Sequence, residues 1–327
     1  MSKLSSFTRI LPFAASMIFA SSVSASQVVT SIKPLQLIAS AIGEGVTEPE
    51  LLLPENASPH SFNLRPSDMQ RLTDAELIFW VGPDLEQSLV RPLQRTNARV
   101  VQLYMADTGH VDHGDEHDEH KEDDHGHQHD EHKQDDHGHK HDDHGDEHDE
   151  SEHADHDHDV HIWLDPASGV QIAEAMAAAL TELMPEQADR IAGNLQRFTE
   201  ETHALDNSLK TQLSALSDKG FFVFHDAYGH FVEHYGLNQV GYFTLDPSRQ
   251  PGARHLADIR TRLEAGQAVC VFSEPQFTPA VVESVVRGIE IRHGVLDPLA
   301  TDVVVAPGAY QAFLQQLADR FSDCLGA

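Results

Sequence analysis

The sequence predicts an α/β protein of two parallel-sheet (βα) lobes joined by one long rigid helix. Three observations predict it. Short β-rich runs alternate with helical patterns through residues 28–104, and the alternation restarts after residue 217. Leu77–Val81 is a near-continuous apolar run, as in a strand buried on both faces of a parallel sheet. Between the two sets, Pro185–Ser217 has one glycine, Gly193, no internal proline, and apolar residues near helical spacing: Ile191, Leu195, Phe198, Leu205, Leu209 and Leu213. Thirty residues of helix would reach about 45 Å, which suits a strut. A pair of shorter helices broken at Gly193 is the competing expectation.

In order, Val28–Ile32 reads as a strand, Leu35–Ile42 as a helix, and Pro49–Leu53 as a strand ending in the polar turn Pro54–His60. Ser67 and Gln70 read as a capping box opening a helix that runs through Ala75. The strand Leu77–Val81, a helix near Leu85–Arg95 and a strand Arg99–Tyr104 complete the first set. A low-complexity insertion follows, then a short apolar strand at Ile162–Leu164 and an Ala-rich helix, Ala167–Met184. After the strut come strands Phe221–Phe224, Val240–Thr244, Ala268–Phe272 and Val295–Leu296. Helices Ala227–Tyr235, Leu256–Glu264, Pro279–Ile289 and Tyr310–Cys324 lie between and after them. This divides the chain into a first lobe (26–184), a linking helix (185–217) and a second lobe (218–327).

The insertion dominates the composition. Asp112–Asp159 carries 22 Asp/Glu against three Lys, a net −19 of the total −31, and 16 of the 24 histidines lie between His110 and His158. His117-Asp-Glu-His-Lys121 returns as His129-Asp-Glu-His-Lys133, and Asp123-Asp-His-Gly-His127 as Asp135-Asp-His-Gly-His139. With no apolar side chain between Val111 and Ala154, the tract has nothing to bury against its ordering entropy, and 110–159 reads as a disordered loop. A solvated acidic spacer needs no histidine. Neutral imidazole with carboxylates beside it gathers Zn, Cu, Ni and Co. His113, His117, His120, His125, His127, His129, His137, His139 and His141 are therefore candidate secondary metal ligands.

Residues 1–25 read as a secretory signal: Lys3 and Arg9 precede the apolar run Ile10–Ala20, and Val23-Ser-Ala25 fits a small-x-small cleavage site. The run is too short to span a bilayer comfortably. The acidic remainder, −12 outside the tract, disfavours nucleic acid or an anionic membrane as partner. Cys270 and Cys324 form an even pair that an oxidising compartment would join, with two free thiols as the alternative.

Eight histidines lie outside the tract. In open α/β sheets, ligand sites gather in the loops beyond the C-terminal ends of strands. His60 follows the second strand, His225 follows Phe221–Phe224, and His161 stands at the end of the insertion. Two from one lobe and one from the other could converge on the cleft, and three imidazoles plus a fourth oxygen make a tetrahedral zinc site.

The local context of these histidines resembles a known family. Ala57-Ser-Pro-His60-Ser-Phe-Asn-Leu-Arg-Pro-Ser-Asp68, His161-Ile-Trp-Leu-Asp-Pro166 and Phe224-His225-Asp-Ala-Tyr228 look like the three ligand motifs of zinc-specific solute-binding proteins of bacterial ABC importers, the ZnuA type. Glu274-Pro-Gln-Phe277 and Leu296-Asp-Pro-Leu299 are also similar, and the His-rich insertion stands in its expected place. The resemblance implies a periplasmic monomer that holds Zn²⁺ between two lobes for an inner-membrane permease. It also implies that Cys270 and Cys324 pair to fasten the last helix. His60, His161 and His225 would be the ligands. Some relatives place an acid just before the first histidine, where this chain has Pro59. Related manganese-binding members use an acid of the second lobe, which makes Asp297 a candidate by region; water or a tract carboxylate is the preferred expectation.

Two readings compete. His230-Phe-Val-Glu233-His234 matches H-x-x-E-H, a zinc-peptidase pattern that places two histidines on one helical face. A zinc-dependent hydrolase is therefore one alternative, although no nucleophile elbow or convincing general base accompanies it. The other is an extracytoplasmic manganese- or nickel-binding protein or adhesin. Binding without turnover is the main expectation.

Overall fold

A computed structural model describes residues 27–54, 57–104 and 159–326. The segment expected to be a signal, and the tract histidines named above, lie outside the described residues. Two four-stranded sheets are present, and every pairing in both is parallel. The first contains β1 (Val28–Thr30), β2 (Glu50–Leu51), β3 (Leu77–Trp80) and β4 (Arg99–Gln102), in the order β2-β1-β3-β4. The second contains β5 (Gly220–His225), β6 (Asn238–Thr244), β7 (Cys270–Ser273) and β8 (Arg292–Val295), in the order β6-β5-β7-β8. In each sheet the chain steps outward from its first strand and then crosses to the other side. That leaves a crevice beyond the C-terminal ends of β1 and β3, and another beyond β5 and β7.

The helices α1 (Lys33–Ile42), α2 (Pro66–Asp74) and α3 (Val90–Leu93) serve the first sheet; α6 (Gly229–Tyr235), α7 (Ala253–Glu264), α8 (Ala280–Val286) and α9 (Ala309–Leu325) follow in the second half. Between them lie α4 (Pro166–Leu183) and α5 (Ala188–Leu213). The 26 residues of α5 are continuous through Gly193, so its length is about 39 Å at 1.5 Å per residue. Short 3-10 turns at Pro185–Gln187 and Ser214–Leu216 make up the rest of the expected strut. Near its start, Asn194 donates to the carbonyls of Ile42 (2.9 Å) and Glu44 (3.0 Å), closing the end of α1. Farther along, Gln212 reaches Asp319 and Ser322 of α9, both at 3.0 Å. One helix therefore carries anchors to both halves.

Local chemistry moved two expected features. The Ser67–Gln70 box is not formed. Pro66 occupies the first turn of α2, and the Arg65 amide donates to Asp68 Oδ2 at 2.8 Å, so the cap lies two residues earlier; Gln70 bonds Asp74 instead. Ile162–Leu164 is a 3-10 turn rather than a strand, with Trp163 and Leu164 fully buried. Asp165 then caps α4, accepting from the amides of Ala167 (3.2 Å) and Ser168 (2.8 Å). Leu77–Trp80 is buried along its whole length, as expected of a central strand.

The main core runs from the first sheet through α4, α5 and α9 to the inner face of the second sheet, and a smaller one lies under α7 and α8. Cys270 on β7 and Cys324 on α9 are joined in a disulfide that ties the last helix to the second sheet. Among the described residues, no helix is long and apolar enough to cross a membrane.

Candidate metal centre

His225 is the last residue of β5, so the strand carries its ring to the C-terminal edge of the second sheet. Glu274 follows β7 directly, on the far side of the crevice, and takes the Nδ1 of His225 in both carboxylate oxygens, at 2.7 and 2.8 Å. His161 opens the 3-10 turn, with its Nδ1 2.7 Å from Asp159 Oδ1. Burial alone would resist ionisation of Asp159, but the side-chain and backbone hydrogen bonds from His161 hold its carboxyl below the ordinary range. With carboxylate oxygens as the acceptors at both Nδ1 atoms, Nδ1 carries the proton in each ring and Nε2 presents its lone pair. The two Nε2 atoms lie 3.3 Å apart, with both residues buried.

His60 arrives from the turn after β2. Its ring centroid is 5.6 Å from that of His161 and 5.7 Å from that of His225, and its Nε2 is buried without a hydrogen-bond partner. Burial pushes this imidazole from 6.5 down to about 3; the other two rings add to the effect, and Asp246 and Asp159 oppose it weakly.

One nitrogen from each ring falls within a 4.8 Å cluster. Tetrahedral coordination at about 2.0–2.1 Å requires nitrogens roughly 3.3 Å apart. The His161–His225 pair is already at that spacing, and His60 needs only a small approach. The void among the rings, bounded by Ser58, Pro59, Phe277 and Leu299, is ≈ 10 Å³, room for one species of water size. Three inward lone pairs without donors, backed by two carboxylates, form a site for a soft-accepting dication.

Asp297 is not brought to this cluster. Its Oδ1 accepts from Gln276 (2.6 Å) and the Leu299 amide (3.0 Å), and its Oδ2 from the Thr301 amide (2.6 Å), so it caps a loop. Nor does the described end of the tract supply a ligand, because Asp159 stands behind His161. The peptidase pattern dissolves too: His230 Nε2 bonds the Asp159 carbonyl at 2.7 Å, His234 is held between Asp165 and Asp206, and Glu233 is exposed. Sequence reasoning gave no role to Glu274 or Asp159. Glu274 sat in a segment quoted for its resemblance, whereas Asp159 was one acid among 22.

The chain matches the family described as "Zinc-uptake complex component A periplasmic" over residues 28–324. The high-affinity zinc uptake system protein ZnuA of Haemophilus ducreyi is 44% identical over 309 residues, covering 94% of this chain and 96% of the relative. The protein of the same description from Yersinia pestis is 42% identical over 307 residues, covering 93% and 92%. A solved ZnuA crystal structure superposes with a TM-score of 0.70 at 24% identity, covering 92% of this chain and 99% of the other, a likeness of fold. A family match across nearly the whole described chain, with relatives above 40% identity, establishes membership: this chain belongs to the ZnuA family of periplasmic zinc-uptake components.

Proposed function

We propose that the chain is a periplasmic zinc-capture protein that binds Zn²⁺ through His60, His161 and His225 and delivers it to an inner-membrane ABC permease. The observation that carries the reading is the pair of Nε2 atoms 3.3 Å apart, each ring fixed from behind by a carboxylate. Imidazoles at all three positions favour zinc over manganese, which suits harder oxygen donors. Asp159 and Glu274 are engaged with ring nitrogens, and Asp246, the other carboxylate near His60, accepts from the amide and hydroxyl of Ser248, so the ion reads as cargo rather than catalyst. The fourth position falls to water. The names of the relatives, high-affinity zinc uptake proteins, support the same cargo. The division into lobes at 26–184 and 218–327, the signal at 1–25, the monomeric state and the metal-gathering role of the tract belong to this proposal.

The test is a zinc titration against a competing chelator. Replacing His60, His161 and His225 together by Ala should abolish tight stoichiometric binding, whereas deleting residues 110–158 should remove only weaker sites. Tight binding that survives the triple substitution in a chain lacking the tract would refute the assignment.

A further inference from the structure

The H-x-x-E-H pattern on α6 finds no use in ligation, yet both of its histidines touch the segment that carries a ligand. By sequence, residues 159–165 belong to the first half of the chain. Apart from the Asp165 cap on α4, the polar anchors that leave this segment nevertheless run to the second. His230 Nε2 donates to the Asp159 carbonyl at 2.7 Å. His234 Nδ1 lies 3.0 Å from Asp165 Oδ1. Between these two points, Trp163 Nε1 donates to the Pro298 carbonyl at 2.7 Å, and the Tyr310 hydroxyl donates to the Trp163 carbonyl at 3.0 Å.

His230 and His234 are one helical turn apart on one face of α6, separated by about 6 Å along its axis. Asp159 and Asp165, the points they hold, bracket His161 and the three-residue 3-10 turn. The second nitrogen of His234 is held by Asp206 of α5 at 2.7 Å, so the ring cannot swing away from Asp165. The helix begins four residues after His225. One stretch, 225–234, therefore supplies one ligand directly and grips both ends of the segment that supplies another.

We infer that His230 and His234 are positioning residues: they fasten the His161 segment to the second lobe, so that His161 and His225 form a two-imidazole half-site there, to which His60 of the first lobe is added. The inference rests on the three-histidine zinc site proposed above. It explains why the His161–His225 spacing already fits a metal and that of His60 is looser.

The test uses the full-length chain and zinc with a competing chelator, with the metal-free melting temperature measured alongside. His234→Asn keeps the short-reach donor to Asp165 and loses Asp206; His234→Gln keeps the long-reach donor to Asp206 and loses Asp165. His234→Gln should weaken tight zinc binding roughly tenfold, the low end for groups that act behind a ligand. His234→Asn should stay within about threefold of wild type, while both lower the metal-free melting temperature alike. At the other end, His230→Leu should weaken binding roughly tenfold, and His230→Gln, which retains an N–H at similar reach, should restore it. These two variants decide the matter if the His234 variants fail to fold. Equal affinities within each pair would overturn the inference. His60→Ala serves as the reference: if it abolishes tight binding while the α6 variants have no effect, the positioning role fails and the site stands. If His60→Ala also binds tightly, it is the site assignment that fails.

Discussion

The carboxylate behind His225 gives the sharpest quantitative test. Glu274 is 3% exposed and meets Nδ1 with both oxygens. A dication held by three neutral rings is a buried +2, which the carboxylates of Asp159 and Glu274 offset. Glu274→Gln keeps an acceptor for the ring N–H, and hence its orientation, but removes one of those charges. Adding the metal–nitrogen bond, the ring and the hydrogen bond places the carboxylate ~6 Å from the ion. At an effective dielectric of ~20, a unit charge against a dication at that distance is about 5 kcal/mol, a gross figure reduced by the cost of keeping the carboxylate buried in the empty site. Loss of such supporting groups typically weakens metal binding about 10- to 100-fold, or roughly 1.4–2.7 kcal/mol. Glu274→Gln should therefore bind zinc at least tenfold more weakly, with fold retained by circular dichroism. Chelator competition at neutral pH reads the change. An affinity within twofold of wild type would show that the carboxylate does not compensate the ion's charge.

Four further outcomes follow from the geometry. His60, held near 3, resists protonation where exposed imidazoles near ~6.5 take up protons, so acidification from pH 7 to 5 should strip zinc from the tract before the three-histidine site; simultaneous release in a pH titration of bound metal would contradict this. Because its folded value is depressed, the stability linked to His60 is present above ~6.5 and lost as pH falls toward 3, so metal-free denaturation midpoints should drop with acid less steeply in His60→Ala. Replacing Cys270 and Cys324 by Ser opens a link across 54 positions and should cost up to about 4 kcal/mol in urea denaturation, with a loss under 1 kcal/mol refuting the brace. Burial pushes Glu86 from 4.5 up to about 7, although its Oε2 accepts the amides of Val81 (2.9 Å) and Gly82 (3.1 Å). That raised value costs stability as pH climbs from 4.5 through 7, so Glu86→Gln should stabilise the chain at pH 8 by up to about 3 kcal/mol and leave it unchanged at pH 4.

Strands and helices with strong apolar patterns were legible in the sequence because burial dictates them: Leu77–Trp80, the α5 strut and α9 all stand where periodicity places them. The strut's continuity through Gly193 agrees with that glycine having open space around it. Ends set by single hydrogen bonds were harder to read. Pro66 and Asp68 outcompete Ser67 and Gln70 because a ring that presets φ and a carboxylate at the right reach need no further help. His161-Ile-Trp-Leu looked like a strand because its apolar content was visible and its tertiary anchors, the Pro298 carbonyl and Tyr310, were not. The three clustered imidazoles were legible through their motif contexts. Their supporting acids were not, since Glu274 lies 49 positions from His225 and nothing local pairs them. Asp297 was suggested by region, and the amides of its own loop consume its oxygens instead.

The closing helix of the chain has a consequence for how the molecule is made. α9 lies against α1 and α5 as well as β8, although α1 is synthesised well before it. Leu35, Leu37, Ile38 and Ile42 of α1 have no exposure in the finished protein. A nascent chain must carry part of that oily surface uncovered until some 270 residues later, so the half born first is completed last. Truncation anywhere before Ala309 should then leave an aggregation-prone stub rather than an independent, well-behaved domain.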